Sequence, residues 1–192
     1  RSYKIEEGIK LAKKLLLDIT ALGIPSGSEM VDPIVSQFIS DLISWVSIGA
    51  RTTESQIHRE MASGLSMPVG FKNNTSGNLS MAIDALKSSR HSHSFIGIDQ
   101  EGNTCVLSTK GNSSCHIILR GGKAGPNYYE ENLEEAENLL NQEGLNPAIM
   151  VDCSHANSGK AWKKQERVLK SVIDQKKRHL KSLIGFMVES NL

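Results

Sequence analysis

Five ionisable side chains follow short apolar segments of the sequence and have the chemistry to bind and activate a small anion. They are Arg51, Lys72, Arg120, His155 and Glu189. A planar guanidinium group pairs with a phosphate or a carboxylate through two hydrogen bonds, whereas a lysine ammonium group is a compact point charge. An imidazole and a carboxylate are suitable ligands for a divalent metal ion, although two protein ligands do not complete a site. The residue types therefore predict a pocket for a small substrate that has both a phosphate and a carboxylate group.

The segments that precede these side chains have the composition of buried strands. Short apolar runs occur at residues 45–51, 67–72, 115–120, 148–152 and 183–189. Helical patterns alternate with them, at residues 5–16, 32–43, 79–86, 130–142 and 163–178. This alternation is typical of parallel βα units and favours an α/β fold of the (β/α)8 barrel type. Because the carboxyl ends of barrel strands converge on the face where active sites are built, we expect the five side chains to share one pocket.

Local sequence signals mark two helix starts and one hairpin. Asp32 followed by Pro33 is typical of an N-cap and the first helical residue. Residues 53–56 (TESQ) have the capping-box pattern, which predicts that another helix begins there. A β-hairpin is predicted to interrupt the alternation near residues 94–109, with its turn at residues 99–103 (DQEGN).

The composition excludes several classes of protein. The chain has 22 Lys+Arg, 21 Asp+Glu and no block of basic residues, which gives no electrostatic footprint for nucleic acid or an anionic membrane. No apolar run approaches the roughly 18 residues that span a bilayer, and the first residues are not those of a signal peptide, so we expect a cytoplasmic protein. Cys105, Cys115 and Cys153 have no C-x-x-C spacing and do not fit a disulfide framework or a structural zinc site.

Each candidate residue also has a plainer interpretation. Taken singly, Arg51, Lys72 and Arg120 are compatible with solvated loop charges. His155 is compatible with a hydrogen-bonded loop residue, and Glu189 with the fraying end of a strand. The repetition of positive charge at the same strand position in three units favours a common anion site over three independent surface charges.

Three other residues have the types of metal ligands. Cys153 lies two positions before His155, so it is either a third ligand or a small buried core residue, and the second alternative is favoured. His91 and His93 have the i, i+2 spacing of a chelate, but their position next to the predicted hairpin favours exposed side chains.

Five motifs of the chain resemble the class I 3-deoxy-D-arabino-heptulosonate-7-phosphate (DAHP) synthase family. They are residues 48–56 (IGARTTESQ), 67–73 (MPVGFKN), 116–122 (HIILRGG), 151–157 (VDCSHAN) and 187–190 (MVES), which together cover essentially the whole chain. The resemblance implies a TIM barrel that condenses phosphoenolpyruvate with erythrose 4-phosphate. This reaction is the first committed step toward chorismate and the aromatic amino acids.

The resemblance also implies which residues bind phosphoenolpyruvate. Arg51, Lys72 and Arg120 match the residues that bind its phosphate and carboxylate groups, with the backbone N–H of Ala50 beside them. These assignments agree with the anion pocket predicted from the charges alone.

Further matches imply the catalytic and metal-binding residues. Glu29 matches an acidic residue near the reacting carbon, and we expect Lys72, Glu29 and His155 to be catalytic. His155 and Glu189 match two ligands of a divalent metal ion of the Mn, Fe, Co or Zn class.

The chain departs from the family pattern at four places. The other two metal ligands of the family, a Cys on the first barrel strand and an Asp after the eighth, have no counterpart, and the Lys-Pro-Arg-Thr-Thr segment after strand two is also absent. Cys153 stands where the family has an aromatic residue and is not the absent Cys ligand. We therefore expect residues 1–192 to form a single incomplete barrel domain with strands three to eight, an internal fragment of a longer enzyme that is inactive in isolation.

Feedback control is implied by a second group of residues. Gln37, Ser66 and Phe95 match positions of an inhibitor pocket outside the active site, which predicts an aromatic amino acid effector. Residues 92–95 (SHSF) favour the tryptophan-sensitive isoenzyme. The resemblance also implies a homodimer or homotetramer.

Two alternatives to DAHP synthase stay open. The related 3-deoxy-octulosonate 8-phosphate synthase shares the barrel and the phosphoenolpyruvate chemistry but uses arabinose 5-phosphate; residues 52–56 (TTESQ) and 155–157 (HAN) favour DAHP synthase. A non-catalytic barrel remnant would bind a phosphorylated ligand or regulate a partner. The presence of all five strand-end side chains argues against the remnant.

Overall fold

The central feature of the computed structural model, which describes residues 2–99, 101–178 and 180–190, is a parallel sheet of six strands. In chain order, the strands of the described residues are β1 (Gly27–Glu29), β2 (Trp45–Ile48), β3 (Val69–Lys72), β4 (Ser94–Ile98), β5 (Thr104–Ser108), β6 (His116–Leu119), β7 (Ile149–Asp152) and β8 (Leu183–Met187). The sheet order is β1-β2-β3-β6-β7-β8, and all neighbouring pairs are parallel. The predicted α/β class and partial barrel are therefore confirmed.

One helix precedes the sheet and the others lie in the connections between its strands. In the same part of the chain they are α1 (Ile5–Ala21), α2 (Pro33–Ile39), α3 (Gln56–Gly64), α4 (Ser80–Ser89), α5 (Glu130–Gln142) and α6 (Gln165–Lys177). Asp32 caps α2 as predicted, because its Oδ1 accepts the backbone N–H groups of Ile34 and Val35 at 2.8 Å each. The helix does not continue to residue 43, since Ile43 is extended and buried where the chain enters β2. None of the described helices is long and apolar enough to cross a bilayer.

A helix begins at Gln56, as the pattern at residues 53–56 predicts, but the capping box itself is wrong. The N-cap of α3 is Ser55, whose side chain makes no capping hydrogen bond. The fully buried hydroxyl of Thr53 instead donates to the carbonyl groups of Gly49 at 3.0 Å and Lys72 at 2.8 Å. A tertiary contact between the ends of β2 and β3 therefore takes the place of the predicted capping contact of Thr53.

The hydrophobic core lies between the sheet and its helices. Alternate strand residues face this core, because successive side chains of a strand point to opposite faces. They are Val46 and Ile48 of β2, Val69 and Phe71 of β3, Ile117 and Leu119 of β6, and Ile149 and Val151 of β7, all with no exposed surface. The residues between them, including Lys72 and Asp152, face the inside of the curved sheet.

The predicted hairpin is present and lies outside the main sheet. Strands β4 and β5 pair antiparallel, with Ser94 opposite Ser108 and Ile98 opposite Thr104. The turn is stabilised by Asp99, whose Oδ1 accepts the N–H groups of Glu101 and Asn103. Gln100, which belongs to the predicted turn, lies outside the described residues.

A buried histidine crosses the inner face of the sheet. Trp45 Nε1 on β2 donates to His116 Nε2 on β6 at 3.1 Å, and the two side chains meet over Gly70 of the intervening strand β3. An ideal Cβ on Gly70 would lie 2.8 Å from that nitrogen, so the glycine makes room for the contact. Burial lowers the pKa of His116 from 6.5 to about 4. The imidazole is therefore neutral in the folded protein near pH 7, with Nε2 as an acceptor.

This histidine predicts a specific loss of stability in acid. Below pH 6.5 the unfolded chain takes up a proton at His116 that the folded chain does not bind until about pH 4. The free energy of unfolding should therefore fall by about 1.4 kcal/mol per pH unit in this window. His116→Gln keeps an acceptor for Trp45 but does not titrate. Urea unfolding should show that, between pH 7.5 and pH 5, the free energy of unfolding of the wild type falls by about 2 kcal/mol more than that of the variant. Equal losses in the two proteins would contradict the prediction.

Candidate active site

A cavity of about 580 Å³ lies at the carboxyl ends of the parallel strands. It is lined by Glu29, Val31, Gly49, Ala50, Arg51, Thr52, Lys72, Thr75, Arg120, Ser154, His155, Lys160 and Glu189. All seven catalytic, substrate-binding and metal-binding candidates from the sequence are among these residues. The structure thus brings together side chains that lie up to 160 positions apart in the sequence.

The position of each side chain follows from the end of its strand. Glu29 and Lys72 are the last residues of β1 and β3, Arg120 follows β6 directly, and Arg51, His155 and Glu189 follow β2, β7 and β8 within three positions. Because the six strands are parallel, these ends lie along one rim of the sheet. The carboxylate of Glu29 lies over Gly49, where an added Cβ would collide with it.

The cavity is built around a carboxylate that sequence reasoning did not select. Asp152, the last residue of β7, is fully buried, and its Oδ2 lies 3.2 Å from Lys72 Nζ and 2.9 Å from His155 Nδ1. Burial by itself would raise the pKa of Asp152, but His155 and Lys72 outweigh it and hold the pKa below its ordinary value. The carboxylate is therefore ionised and lies between both neighbours.

The donor atoms at this point fit a divalent metal ion. Asp152, His155 and Glu189 each offer one ligand atom, and the three atoms lie within 4.8 Å of one another. Asp152 Oδ2 and His155 Nδ1 are buried and complete no hydrogen bond of good geometry within the described residues. Oxygen and imidazole donors of this kind suit the divalent transition metals. The predicted pair of ligands thus gains a third donor, Asp152.

The backbone at His155 is strained. Its φ of 51° lies in the left-handed region, which is costly for a residue other than glycine. The strained conformation is stabilised by the N–H group of Lys160, which donates to the carbonyl group of His155 at 2.7 Å. Such strain is characteristic of functional sites, because the surrounding structure has to enforce it. At this turn it places the imidazole between Asp152 and Glu189.

Arg120 has a free donor in the cavity. Burial of its guanidinium group lowers the pKa, and the nearby charge of Arg51 acts in the same direction, whereas Asp152 opposes both. The group nevertheless stays cationic, because arginine does not deprotonate in proteins. Its Nε is buried and has no hydrogen-bond partner among the described residues. A buried, unpaired N–H beside two further cations favours an anionic ligand.

Three asparagines hold the strand ends in position, and sequence reasoning gave them no role. Asn73 Oδ1 accepts the N–H of Arg120 at 2.8 Å and Nδ2 of Asn127 at 3.2 Å. Asn157 Oδ1 accepts the N–H of Asn127 at 2.8 Å, and Asn157 Nδ2 donates to the last carbonyl groups of β6 and β7. Asn73 directly follows β3, which was a possible signal, but Asn127 and Asn157 lie further along their loops, where asparagine is common.

The remaining metal-ligand candidates lie away from the cavity. Cys153 is fully buried in the hydrophobic core, where burial raises the pKa of its thiol to about 12, so the interpretation as a core residue is the correct one. His91 is exposed, and His93 Nε2 lies 2.9 Å from the carbonyl oxygen of Ser88. Neither histidine belongs to a metal-ligand cluster in the described part of the chain.

A second cavity, of about 750 Å³, collects the three residues matched to an effector site. Gln37 lies on α2, Ser66 follows α3, and Phe95 lies on the hairpin strand β4. Leu107, on β5, also lines this cavity. The second cavity is therefore enclosed by the hairpin and the helices, whereas the first lies at the strand ends.

Comparison with known proteins identifies the family. The chain matches the DAHP synthetase I family over residues 1–192. It is 51% identical over 191 residues to "Phospho-2-dehydro-3-deoxyheptonate aldolase, Tyr-sensitive" and 49% identical over the same length to the enzyme named "Phe-sensitive", both of Escherichia coli (strain K12). The structure of phospho-2-dehydro-3-deoxyheptonate aldolase from Francisella tularensis SCHU S4 superimposes with a TM-score of 0.97 at 45% identity.

The extent of these matches is unequal. All of this chain is covered in each comparison, but only 53% and 54% of the two curated relatives and 56% of the solved structure. The chain thus spans about half the length of the curated relatives it matches. The family match over every residue, together with this identity and the shared fold, shows that the chain belongs to the DAHP synthetase I family.

Proposed function

We propose that the protein carrying this chain condenses phosphoenolpyruvate with D-erythrose 4-phosphate to DAHP and phosphate, the first step of the shikimate pathway. The observation that carries the proposal is the cavity in which the three predicted cations, Arg51, Lys72 and Arg120, lie beside a cluster of metal-ligand donors. Its placement at the carboxyl ends of the strands, in a chain of the DAHP synthetase I family, supports the same reaction.

Phosphoenolpyruvate has two anionic groups, and the cavity offers charges for both. Arg51, Lys72 and Arg120 would bind the phosphate and the carboxylate, with the backbone N–H of Ala50 as a further donor. The free Nε of Arg120 supports this assignment. Cations held in fixed positions stabilise the charge that develops during the reaction without first having to reorganise.

The reaction joins the two substrates and then releases phosphate. C3 of the enol attacks the aldehyde carbon of the sugar, water adds at C2, and the C2–O bond to the phosphate breaks. Lys72, paired with Asp152, would hydrogen-bond an oxygen on which charge develops, and Glu29 and His155, which line the same cavity, would hold or move a proton at the reacting atoms. These three catalytic roles are proposals.

The metal site belongs to the same proposal. Asp152, His155 and Glu189 would hold the ion, which when bound supplies Lewis acidity toward the aldehyde or a water molecule. The choice among Mn, Fe, Co and Zn stays a prediction.

Regulation by an aromatic amino acid is proposed for the second cavity. The relatives are named Tyr-sensitive and Phe-sensitive, which supports an effector of this class. The expectation of tryptophan sensitivity from residues 92–95 stays a prediction, as do the cytoplasmic location and the homodimer or homotetramer.

The first prediction concerns the reaction itself. Purified protein that carries this chain should form DAHP and release phosphate from phosphoenolpyruvate and erythrose 4-phosphate in the presence of Mn²⁺. Chelation of metal should abolish the activity, and added Mn²⁺ should restore it. Turnover of arabinose 5-phosphate instead would identify the octulosonate synthase, and no turnover of either sugar would identify the non-catalytic remnant.

A second prediction concerns the anion-binding arginine. Arg120→Ala should lower kcat/KM for phosphoenolpyruvate. The corresponding activation free energy should rise by about 2 to 4 kcal/mol, because the variant loses a charge-assisted contact and the stabilisation of developing charge. Arg178→Ala is the matched control, since among the described residues Arg178 forms its ion pair with Glu130, at the surface, where its removal costs little. An unchanged kcat/KM in folded Arg120→Ala would refute the assignment.

A third prediction concerns the hairpin. Phe95→Ala should raise the concentration of the inhibiting aromatic amino acid needed for half-inhibition by about tenfold or more, because apolar contact in the second cavity is lost. Ile96→Ala is the control, since Ile96 is the next residue of β4, is 76% exposed and does not line the cavity. Phenylalanine, tyrosine and tryptophan are tested separately. If Phe95→Ala is half-inhibited at the same effector concentration as the wild type, or if both variants raise that concentration equally, this cavity is not the effector site.

A further inference from the structure

The placement of Glu189 needs an explanation, because it lies beyond the last strand of the sheet. Strand β8 ends at Met187, two residues before Glu189, and in the described chain it pairs with β7 alone. A carboxylate at such a position has considerable conformational freedom unless other groups restrict it. Its side chain is 46% exposed, so burial does not fix it.

The backbone of Glu189 is held by one glutamine side chain. Gln165 Oε1 accepts the N–H of Glu189 at 2.9 Å, and Gln165 Nε2 donates to the carbonyl group of Glu189 at 2.7 Å. A side-chain amide thus makes the two hydrogen bonds that a neighbouring strand would make. Gln165 is the first residue of α6 and only 5% exposed, so it is itself held firmly.

The carboxylate of Glu189 is held separately. Ser154 Oγ donates to its Oε2 at 2.6 Å, which leaves Oε1 on the side of His155, 3.7 Å from Nε2. The N–H of Ser154 in turn donates to Asp152 Oδ1 at 2.9 Å. Ser154 therefore connects Glu189 to the same buried carboxylate that orients His155.

We propose that Gln165 and Ser154 are positioning residues that hold Glu189 as a metal ligand before the ion binds. The proposal rests on the proposed function, since it assigns the metal site the ligands given above. One residue fixes the backbone and the other selects which carboxylate oxygen is free. Groups that orient ligands in this way contribute strongly to metal affinity, because the ordering is complete before binding.

A purely structural role for Gln165 makes a different prediction. In that case its replacement would weaken the packing of α6 and lower the stability of the fold without a specific effect on metal binding. Gln175 provides the comparison, because it lies in the same helix, is 3% exposed and donates from Nε2 to the carbonyl group of Tyr128 at 2.9 Å. Tyr128 does not line the cavity at the strand ends.

The test is a titration of the metal-free protein with Mn²⁺ in the absence of substrates. The concentration of free Mn²⁺ is measured from its electron paramagnetic resonance signal. We compare wild type, Gln165→Met, Ser154→Ala and Gln175→Met, and record thermal unfolding of each. Gln165→Met and Ser154→Ala should bind Mn²⁺ about 10- to 100-fold more weakly than wild type. Gln175→Met should keep wild-type affinity even where its unfolding temperature falls.

Each other outcome counts against the proposal. Wild-type affinity in Gln165→Met overturns it, and so does an equal loss in Gln175→Met, because a general loosening of α6 would then account for both. If Gln165→Met does not fold, Ser154→Ala decides: unchanged affinity overturns the proposal and weakened affinity supports it. A wild-type protein that binds no Mn²⁺ also overturns it.

The same samples separate this proposal from the proposed function. A wild-type protein that binds Mn²⁺ but forms no DAHP contradicts the function and leaves the affinity comparison valid. A wild-type protein that forms DAHP, with variants of unchanged affinity, contradicts only the positioning role.

Discussion

The ionised carboxylate of Asp152 is the constraint on which the active-site cavity depends. A charge with no exposed surface has to be paired, because isolated burial costs several kcal/mol. Lys72 provides the opposite charge at 3.2 Å, and His155 Nδ1 lies 2.9 Å from the same oxygen. Side chains from separate strands thus acquire defined positions before any substrate is present, which is the condition for effective electrostatic stabilisation.

The rim of the sheet is made rigid by side chains that bond to its backbone. Thr53 connects the ends of β2 and β3, the three asparagines connect β3, β6 and β7, and Gln165 fixes the residues after β8. Each of these side chains is buried or partly buried, so its hydrogen bonds face little competition from water. The charged side chains therefore extend from a fixed frame, although they follow loops.

The sequence was sufficient for the parts of the molecule that depend on periodicity and strand order. Apolar strands alternating with helices predicted the parallel sheet, and the charges at strand ends predicted one shared cavity. The capping box failed because Thr53 bonds to two strand ends, a contact that no local pattern reveals. Asp152 was not selected because a single acidic residue at the end of an apolar strand resembles an ordinary boundary. Gln165 was missed because its partner is 24 positions away, beyond the following strand.

The hairpin has a consequence for how enzymes of this kind diversify. Strands β4 and β5 pair with each other and, in the described chain, with no strand of the barrel. Phe95 and Leu107 of the hairpin nevertheless line the second cavity. Their substitution leaves the register of every barrel strand unchanged, because the backbone bonds of the hairpin are self-contained. With the effector role proposed for the second cavity, two copies that arise by gene duplication can acquire different effectors through changes in one small insertion, while the residues at the strand ends stay the same.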